Sequence, residues 1–476
     1  MRRRRCRRIC CNPGICSGSR PIASTRSRTR PRSDGGHCRP IPSRTARTIK
    51  AAHRAAAMLP RAGHRRQHPS KRLSMTGTWL RVALFLIGSA LAPAHAETVV
   101  LRGGTLYATA DAAALPDAAI VITDGVISAV GKSGDVKLPS DARLIDCSGK
   151  TVVAGFWNSH VHFTEHVWHN AGEAPAAPLT QHMQEMLTRW GFTTVWDLGS
   201  DPRNTLPLRK RIAAGEVAGP TILLAGNVFP KGGHPVYLPP EIQLPEAATP
   251  EEAAKWARDW LTMGEDGIKL FTGAFMGDKP VINMDPAIAK AAVDVAHAQG
   301  RPVFAHPQNK IGVETVIAAD VDVLAHTTPS ERSYTDDQLA RFKAQGTALI
   351  PTLSLFTTVV LDPNVTNRLV AATVNQLKQF SDNGGTVLFG TDVGFTKQYD
   401  TTQEVQLMHR ALSERQVLAS LTTNPARFFK AAKKGKVEPG FDADLVVLDG
   451  DPLSDVANLA KVSTTIRAGH VIYRKP

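Results

Sequence analysis

The feature that most constrains the fold is an alternation of short apolar runs with amphipathic segments, repeated eight times in the middle of the chain. Each apolar run has the length of a buried β-strand, and the segments between the runs have helical spacing of apolar residues. The runs end near His162, Asp197, Ala225, Lys269, His306, His326, Thr352 and Asp392. Eight strand–helix units in about 280 residues match the size of a TIM barrel. We therefore predict an α/β fold with a (β/α)8 barrel over residues 153–434.

Three of the helical segments have clear boundaries: Pro250 to Gly264, Pro286 to Gly300 and Thr335 to Gly346. All three end at a glycine, the usual helix stop. An open, doubly wound sheet is the competing fold. That fold favours a glycine-rich phosphate loop after its first strand, and the segment Trp157 to His162 has no such loop.

Both ends of the apparent body are rich in short β-runs rather than helices. At the amino end these are Thr98 to Arg102, a turn at Gly103–Gly104, and two further runs within residues 119–130. Runs of the same character occupy residues 443–448 and 465–473. We predict that residues 97–152 and 435–476 combine into one small β-sandwich domain.

The basic charge of the chain is confined to its first 96 residues. The formal net charge is +15, but residues 1–96 hold 22 of the 57 Lys and Arg and a single acid, Asp34. The rest of the chain is therefore mildly acidic, which argues against a nucleic-acid partner. Cysteine is divided in the same way, since only Cys147 lies beyond this leader and no disulfide can form within the body.

The segment from Met75 has the three parts of a Sec signal peptide. Met75 to Arg81 is a short amino-terminal region with one positive charge, Leu80 to Leu91 is mostly apolar, and Ala94-His-Ala96 offers small residues for cleavage before Glu97. We expect residues 75–96 to direct export to the periplasm or outside the cell, with no stable membrane anchor. Residues 1–74 admit two interpretations, a basic nucleic-acid-binding arm or translated sequence upstream of the true start. We favour the second and expect disorder there.

Histidines and a lysine mark the ends of several predicted barrel strands. Residues i and i+2 of a strand face the same way, so His160 and His162 can bind one cation. Lys269 lies in an otherwise apolar strand, where a lysine is costly unless it is paired or chemically altered. It is either ion-paired to a barrel acid or carbamylated by CO2 so that it bridges two metals.

Three more polar residues end later strands. His306 and His326 each close an apolar run, and Asp392 closes the eighth. Taken singly, such histidines are usually hydrogen-bonded core residues, and an Asp there is often a helix cap. Their order after the His-x-His pair favours a ligand set, because catalytic groups of TIM barrels lie at the carboxyl ends of the strands.

In this order the residues resemble the amidohydrolase superfamily, in the branch near imidazolonepropionase-like amidohydrolases and Xaa-Pro or Xaa-Arg dipeptidases. The resemblance covers about residues 97–476. Besides the strand-end residues it rests on Gly191-Phe-Thr-Thr-Val, Gly390-Thr-Asp, Thr423-Asn-Pro-Ala and Pro439-Gly-Phe-Asp-Ala-Asp.

The resemblance implies a two-metal site. One ion is bound by His160, His162 and Asp392, a second by His306 and His326, and carbamylated Lys269 bridges both. Two divalent ions are expected, with Zn the default for nitrogen and oxygen ligands. A hydroxide between the metals would attack a carbonyl, and Asp392 would act as the catalytic proton shuttle.

The sequence departs from the family pattern at three positions that are not ligands. Asn158 stands where an Asp is usual, Trp196 where an Arg is common, and Gln308 where a second His is common. In the loop after the third strand, His234 and Tyr237 are candidate substrate contacts, although the loop can equally be an ordinary flexible one.

The sequence therefore predicts an exported metal-dependent amidohydrolase that cleaves an amide, peptide or cyclic-amide C–N bond in a small-molecule or dipeptide substrate. Two alternatives stay open: the same site acting on a lactone or phosphotriester, and a noncatalytic binding protein. Formation of a homo-oligomer is also left open.

Overall fold

The computed structural model describes residues 98–236, 238, 244–359 and 362–476. Its strands are β1 Thr98–Leu106, β2 Leu115–Thr123, β3 Val126–Lys132, β4 Arg143–Asp146, β5 Thr151–Ala154, β6 Phe156–Val161, β7 Phe192–Asp197, β8 Thr221–Pro230, β9 Glu246–Ala247, β10 Gly267–Leu270, β11 Gly273–Ala274, β12 Ile282–Asn283, β13 Val303–Ala305, β14 Val323–Leu324, β15 Ala348–Leu349, β16 Thr386–Val387, β17 Leu445–Leu448, β18 Val462–Arg467 and β19 His470–Arg474.

The α-helices lie mainly between the strands of the middle region. They are α1 Ala176–Met186, α2 Pro202–Ala213, α3 Pro250–Met263, α4 Pro286–His297, α5 Lys310–Ala319, α6 Asp336–Gln345, α7 Leu355–Thr358, α8 Pro363–Asp382, α9 Thr402–His409, α10 Glu414–Leu421 and α11 Thr423–Phe428. Short 3-10 helices occupy His166–Trp168, Thr188–Trp190 and Val456–Ala460.

Eight parallel strands form the barrel, in the order β6, β7, β8, β10, β13, β14, β15 and β16. The segment after β16 returns to the first strand. The Ser159 amide donates to the Phe389 carbonyl at 2.7 Å, and the Asp392 amide donates to the His160 carbonyl at 2.9 Å. These bonds join the eighth unit to the first, and the predicted barrel with an added β-rich domain is confirmed.

The capping residues and terminal glycines seen in the sequence lie at the observed ends of the helices. In α3, the Thr249 side chain accepts from the Glu252 amide, Pro250 occupies the first turn, and Gly264 ends the helix in the left-handed conformation. In α6, Thr335 and Gln338 form a capping box. The three predicted helical segments are thus confirmed, with ends within a few residues.

The third barrel strand is longer than predicted. The expected end near Ala225 is wrong, because β8 continues to Pro230. Gly226 and Asn227 look like a turn in the sequence, yet they stay in the parallel ladder opposite Ile268 and Lys269. The Asn227 carbonyl accepts from the Trp260 indole N–H at 2.9 Å, so a tertiary contact helps to hold the backbone of Asn227 in the strand.

Strands from both ends of the described chain share the second sheet, in the order β19, β18, β17, β5, β1, β2 and β3, with β4 also paired to β1. Strand β5 links the two ends by pairing antiparallel with β17. The predicted turn at Gly103–Gly104 is wrong, because β1 runs through both glycines with register shifts. Gly103 has a φ of 87° and absorbs the irregularity.

The lower part of the barrel interior is filled by apolar side chains. Trp157, Trp196 and Phe304 are almost fully buried there. The Trp196 ring lies 4.9 Å from that of Phe304 and 5.0 Å from that of Phe429, measured between centroids. The unusual Trp196 is therefore part of a packed aromatic layer beneath the strand ends.

Residues 1–97 lie outside the described residues, and so do the predicted leader and signal segment. Within the part of the chain that is described, no helix has both the length and the apolar character needed to cross a membrane.

Candidate metal centre

His160 and His162 reach the barrel interior through an irregularity in β6. The register with β7 shifts between Asn158 and Val161, so the strand changes phase just before the histidine pair. The Nε2 atoms of His160 and His162 lie 3.2 Å and 2.9 Å from Oδ1 of Asp392. The nearest ligand atoms of these three residues all lie within 4.8 Å of one another.

Asp392 is held at the centre of the cluster by its own backbone. Its φ is 59°, in the left-handed region, and its amide is bonded to the His160 carbonyl. Such strained conformations concentrate at functional sites. Its side chain is buried, and Oδ1 has no hydrogen-bond partner among the described residues.

Asn158 joins the two chain segments that carry these ligands. Its Oδ1 accepts from the amides of His160 and Thr391, both at 3.2 Å, and its Nδ2 donates to the Thr391 hydroxyl at 2.8 Å. The side chain therefore clamps backbone and does not contact an imidazole. The function of the Asn that replaces the usual Asp could not be inferred from the sequence, because Thr391 is distant along the chain.

His306 and His326 lie beside the first cluster. The His326 ring centroid is 4.6 Å from that of His160 and 4.7 Å from that of His306. His326 Nε2 lies 3.9 Å from Oδ2 of Asp392. His306 Nε2 lies 2.9 Å from Oε1 of Gln308. Since that amide oxygen can only accept, this contact favours the tautomer of His306 with the proton on Nε2 and the lone pair on Nδ1.

Thr352 orients His326 and was missed in the sequence. Its hydroxyl donates to the Pro351 carbonyl at 2.9 Å, so it accepts from Nδ1 of His326 at 2.7 Å. This bond leaves Nε2 of His326 unprotonated and directed toward Asp392. Thr352 has a φ of 45°, which is rare for a β-branched residue. Its position just after β15 was the one available signal.

Lys269 lies on β10 with 1% of its surface exposed. No ion pair joins it to a carboxylate within the described part of the chain, so the ion-paired interpretation is not supported. Burial lowers the pKa of its amine to about 7, and the charge of Asp392 opposes that shift. Burial thus favours the uncharged amine of Lys269 over the ammonium form.

Burial favours the neutral form of three of the imidazoles, those of His160, His306 and His326. Burial, with further contributions from Lys269 and neighbouring histidines, lowers the pKa of His160 and His326 well below the ordinary range. Burial followed by the effect of Lys269 lowers the pKa of His306 to about 4. Neutral imidazoles around one buried carboxylate present free lone pairs, and this donor set fits a divalent cation.

The two candidate substrate contacts belong to the segment of the chain that follows β8. His234 is half-buried in the loop after β8, where Gly233 packs closely against Ala274. Tyr237 lies outside the described residues. Both assignments stay predictions.

Comparisons with known proteins show what the whole chain is similar to. The model of the amidohydrolase family matches residues 151–472. The enamidase of Eubacterium barkeri is 25% identical over 351 residues, which cover 71% of this chain and 82% of the enamidase. The ochratoxinase of Aspergillus niger is 24% identical over 437 residues, covering 80% and 88% of the two chains. The crystal structure of a protein from Bifidobacterium longum described as a prolidase has a TM-score of 0.67 and 29% identity, and the alignment covers 79% of this chain and 95% of that one.

Proposed function

We propose a mechanism from one premise: the chain belongs to the amidohydrolase family, and it is a hydrolase that acts on carbon–nitrogen bonds. Its target is an amide, peptide or cyclic-amide bond in a small molecule or dipeptide. The observation that carries this proposal is the convergence of His160, His162 and Asp392 at the carboxyl end of the barrel, with His326 beside them.

Two divalent ions, with Zn as the default, fit the donors present. His160, His162 and Asp392 would hold one ion, and His306 and His326 a second. When bound, such a pair supplies Lewis acidity toward the carbonyl and lowers the pKa of a water molecule. Oδ1 of buried Asp392 accepts no hydrogen bond in the described part of the chain and lies beside two imidazole nitrogens, which supports this assignment, since a buried carboxylate needs a compensating positive charge.

Lys269 is proposed to be carbamylated. Its uncharged amine attacks CO2, a new N–C bond forms, and one proton is released to solvent. One C=O π bond of CO2 breaks in this step, and the product is an anionic carbamate whose two oxygens would be further ligands for the ions. Burial and the lack of an ion pair support this proposal, because an unmodified ammonium would be poorly compensated at this place.

Asp392 is proposed to move the proton during hydrolysis. It accepts a proton from the attacking water and delivers it to the leaving nitrogen as the C–N bond breaks. Its hydrogen-bonded backbone fixes the position of the carboxylate, with Oδ1 beside the Nε2 atoms of His160 and His162.

The direct test is hydrolysis of a panel of N-acyl amino acids, dipeptides and cyclic amides by the metal-loaded protein. Release of the free amine that is abolished by chelation and restored by Zn would support the proposal. Cleavage confined to lactones or phosphotriesters would contradict the choice of bond. Binding of amides without turnover would contradict catalysis.

We also propose that residues 75–96 are a cleaved export signal. The charge, apolar stretch and small residues of that segment support it. The test is amino-terminal sequencing of the protein recovered from the periplasm. A mature chain that begins at Glu97 is the expected result, and retention of the whole protein in the cytoplasm would contradict the proposal.

A further inference from the structure

We propose that the substrate carries a bulky apolar group, preferably aromatic, which is bound by an apolar rim around the candidate metal centre. The rim consists of four exposed side chains on loops that follow barrel strands: Val236, Phe275, Val359 and Phe395. The inference rests on the proposed function, because it assigns the substrate class of that same site.

Half of the large hydrophobic side chains that are exposed in the described part of the chain belong to this rim. Phe275 is 45% exposed and Phe395 is 44% exposed. All four follow the carboxyl ends of strands β8, β10, β15 and β16, the face at which TIM barrels bind substrate. Exposed apolar clusters of this kind mark binding surfaces.

Phe395 is tied directly to the ligand cluster. It follows Gly394, which has a φ of 97°, and a Cβ at Gly394 would lie 1.8 Å from the His162 carbonyl oxygen. Only glycine allows the loop to pass this close to His162. The ring of Phe395 is therefore anchored three residues beyond Asp392.

Phe275 is tied to the second pair of histidines. Two residues before it, the Gly273 amide donates to the His306 carbonyl at 3.1 Å. Two residues after it, a Cβ at Gly277 would lie 3.6 Å from the side chain of Val236. The loops after β8 and β10 thus contact each other, and the loop that carries Phe275 lies beside Val236.

A stack of rings connects the end of β8 with His306 of the candidate metal centre. The Phe229 and Phe271 rings are stacked with centroids 3.9 Å apart, and Phe271 lies 5.2 Å from the His306 ring at an interplanar angle of 26°. Phe271 stays half-buried. An apolar group of a substrate can therefore lie beside Phe271 while its amide reaches the histidines.

The loop after β6 adds polar groups to the same mouth. It carries Glu165, His166 and His169, and Tyr399 donates to Glu165 at 2.7 Å. A mouth that presents both apolar and polar side chains suits an amphipathic small molecule. Four half-exposed side chains offer on the order of 300 Å², whereas a stable protein interface needs about 800 Å² per partner. A second copy of the chain is thus the weaker choice of occupant.

The test compares the metal-loaded wild type with the Phe275→Ser/Phe395→Ser double variant. Leu144→Ser is the matched control, since Leu144 is 61% exposed on β4 of the β-rich domain. The substrates are paired amides with an acetyl or a phenylacetyl group, and with glycine or phenylalanine as the amine. The quantity measured is the ratio of kcat/KM for the phenyl-bearing and the small member of each pair.

We expect the wild type and Leu144→Ser to prefer a phenyl-bearing amide by at least about tenfold, and the double variant to lose most of that preference. Calorimetry should show the same change for binding of phenylacetate against acetate. An equal preference in the double variant would overturn the inference. So would a wild-type dimer that dissociates in the double variant, because the rim would then be a subunit interface. Failure of every amide to be hydrolysed, with phenylacetate still bound through the rim, would instead contradict the proposed function.

Discussion

The lower and upper halves of the barrel interior are built from the same eight strands but lined by different side chains. Below, Trp157, Trp196 and Phe304 form an apolar layer, and a few residues later the same strands present His160 and His306. Strand β6 has a register shift with β7 in both halves, beside Trp157 and again before Val161, and the upper half also has left-handed φ values at Thr352 and Asp392. From this contrast we infer that the packed apolar residues and the candidate metal ligands occupy successive layers of the same sheet.

The largest expected effect comes from removing the carboxylate at the centre of the upper layer. Asp392→Asn should lower kcat by about 10²–10⁴-fold, because the amide cannot accept and deliver the proton. Thermal unfolding followed by circular dichroism should change little, since the interior below is intact. A variant with nearly normal turnover would refute the shuttle role of Asp392.

Removing an aromatic ring of the lower layer should have the opposite signature. Trp196→Ala is expected to lower the free energy of unfolding by about 3–5 kcal/mol, because it leaves a cavity between Phe304 and Phe429. Denaturant unfolding measures the loss. Metal content per folded chain should be unchanged, and a variant that loses its metals while keeping its stability would break the division into layers.

Thr352 tests how far the upper layer depends on orientation of its ligands. Thr352→Val keeps the shape but removes the acceptor for His326, so metal affinity should fall about 10–100-fold. Thr352→Ser keeps the hydroxyl and is the control. Competition with a chelator measures the affinity, and ¹⁵N spectra of His326 report the tautomer. Equal affinities in the Val and Ser variants would show that the bond does not orient His326.

Glu265 is a buried acid that belongs to neither layer. Burial, reinforced by the charges of Asp197 and Asp266, raises the pKa of Glu265 to about 9. Since the folded-state pKa exceeds that of the unfolded chain, its stabilising contribution is complete at low pH and is lost as pH rises toward 9.

Glu265→Gln mimics the protonated form, so its stability relative to wild type should increase by at most about 1.4 kcal/mol per pH unit between pH 5 and 8. Urea unfolding at several pH values gives the difference, with Glu251→Gln on the exposed start of α3 as the control. A pH-independent difference would show that Glu265 is ionised in the folded protein.

The periodic features of the sequence were sufficient to predict the barrel, three helix boundaries and the set of strand-end histidines. These depend on local patterns, such as the i, i+2 spacing of His160 and His162. The end of β8 and the path of β1 through Gly103 were predicted wrongly, because tertiary pairing keeps glycine and asparagine within strands there. The supporting contacts of Asn158, Gln308 and Thr352 could be found only in the structure. The partners of Asn158 and Thr352, which are Thr391 and His326, are distant along the chain, and the contact between Gln308 and His306 depends on side-chain conformation.

The most direct test of the central claim is the metal content of the purified protein prepared with bicarbonate, measured beside Lys269→Met. We expect about two divalent ions per wild-type chain and loss of at least one in the variant, because the bridging carbamate cannot form. A wild-type protein that binds a single ion under these conditions, or a variant that retains both, would contradict a two-metal site bridged by Lys269.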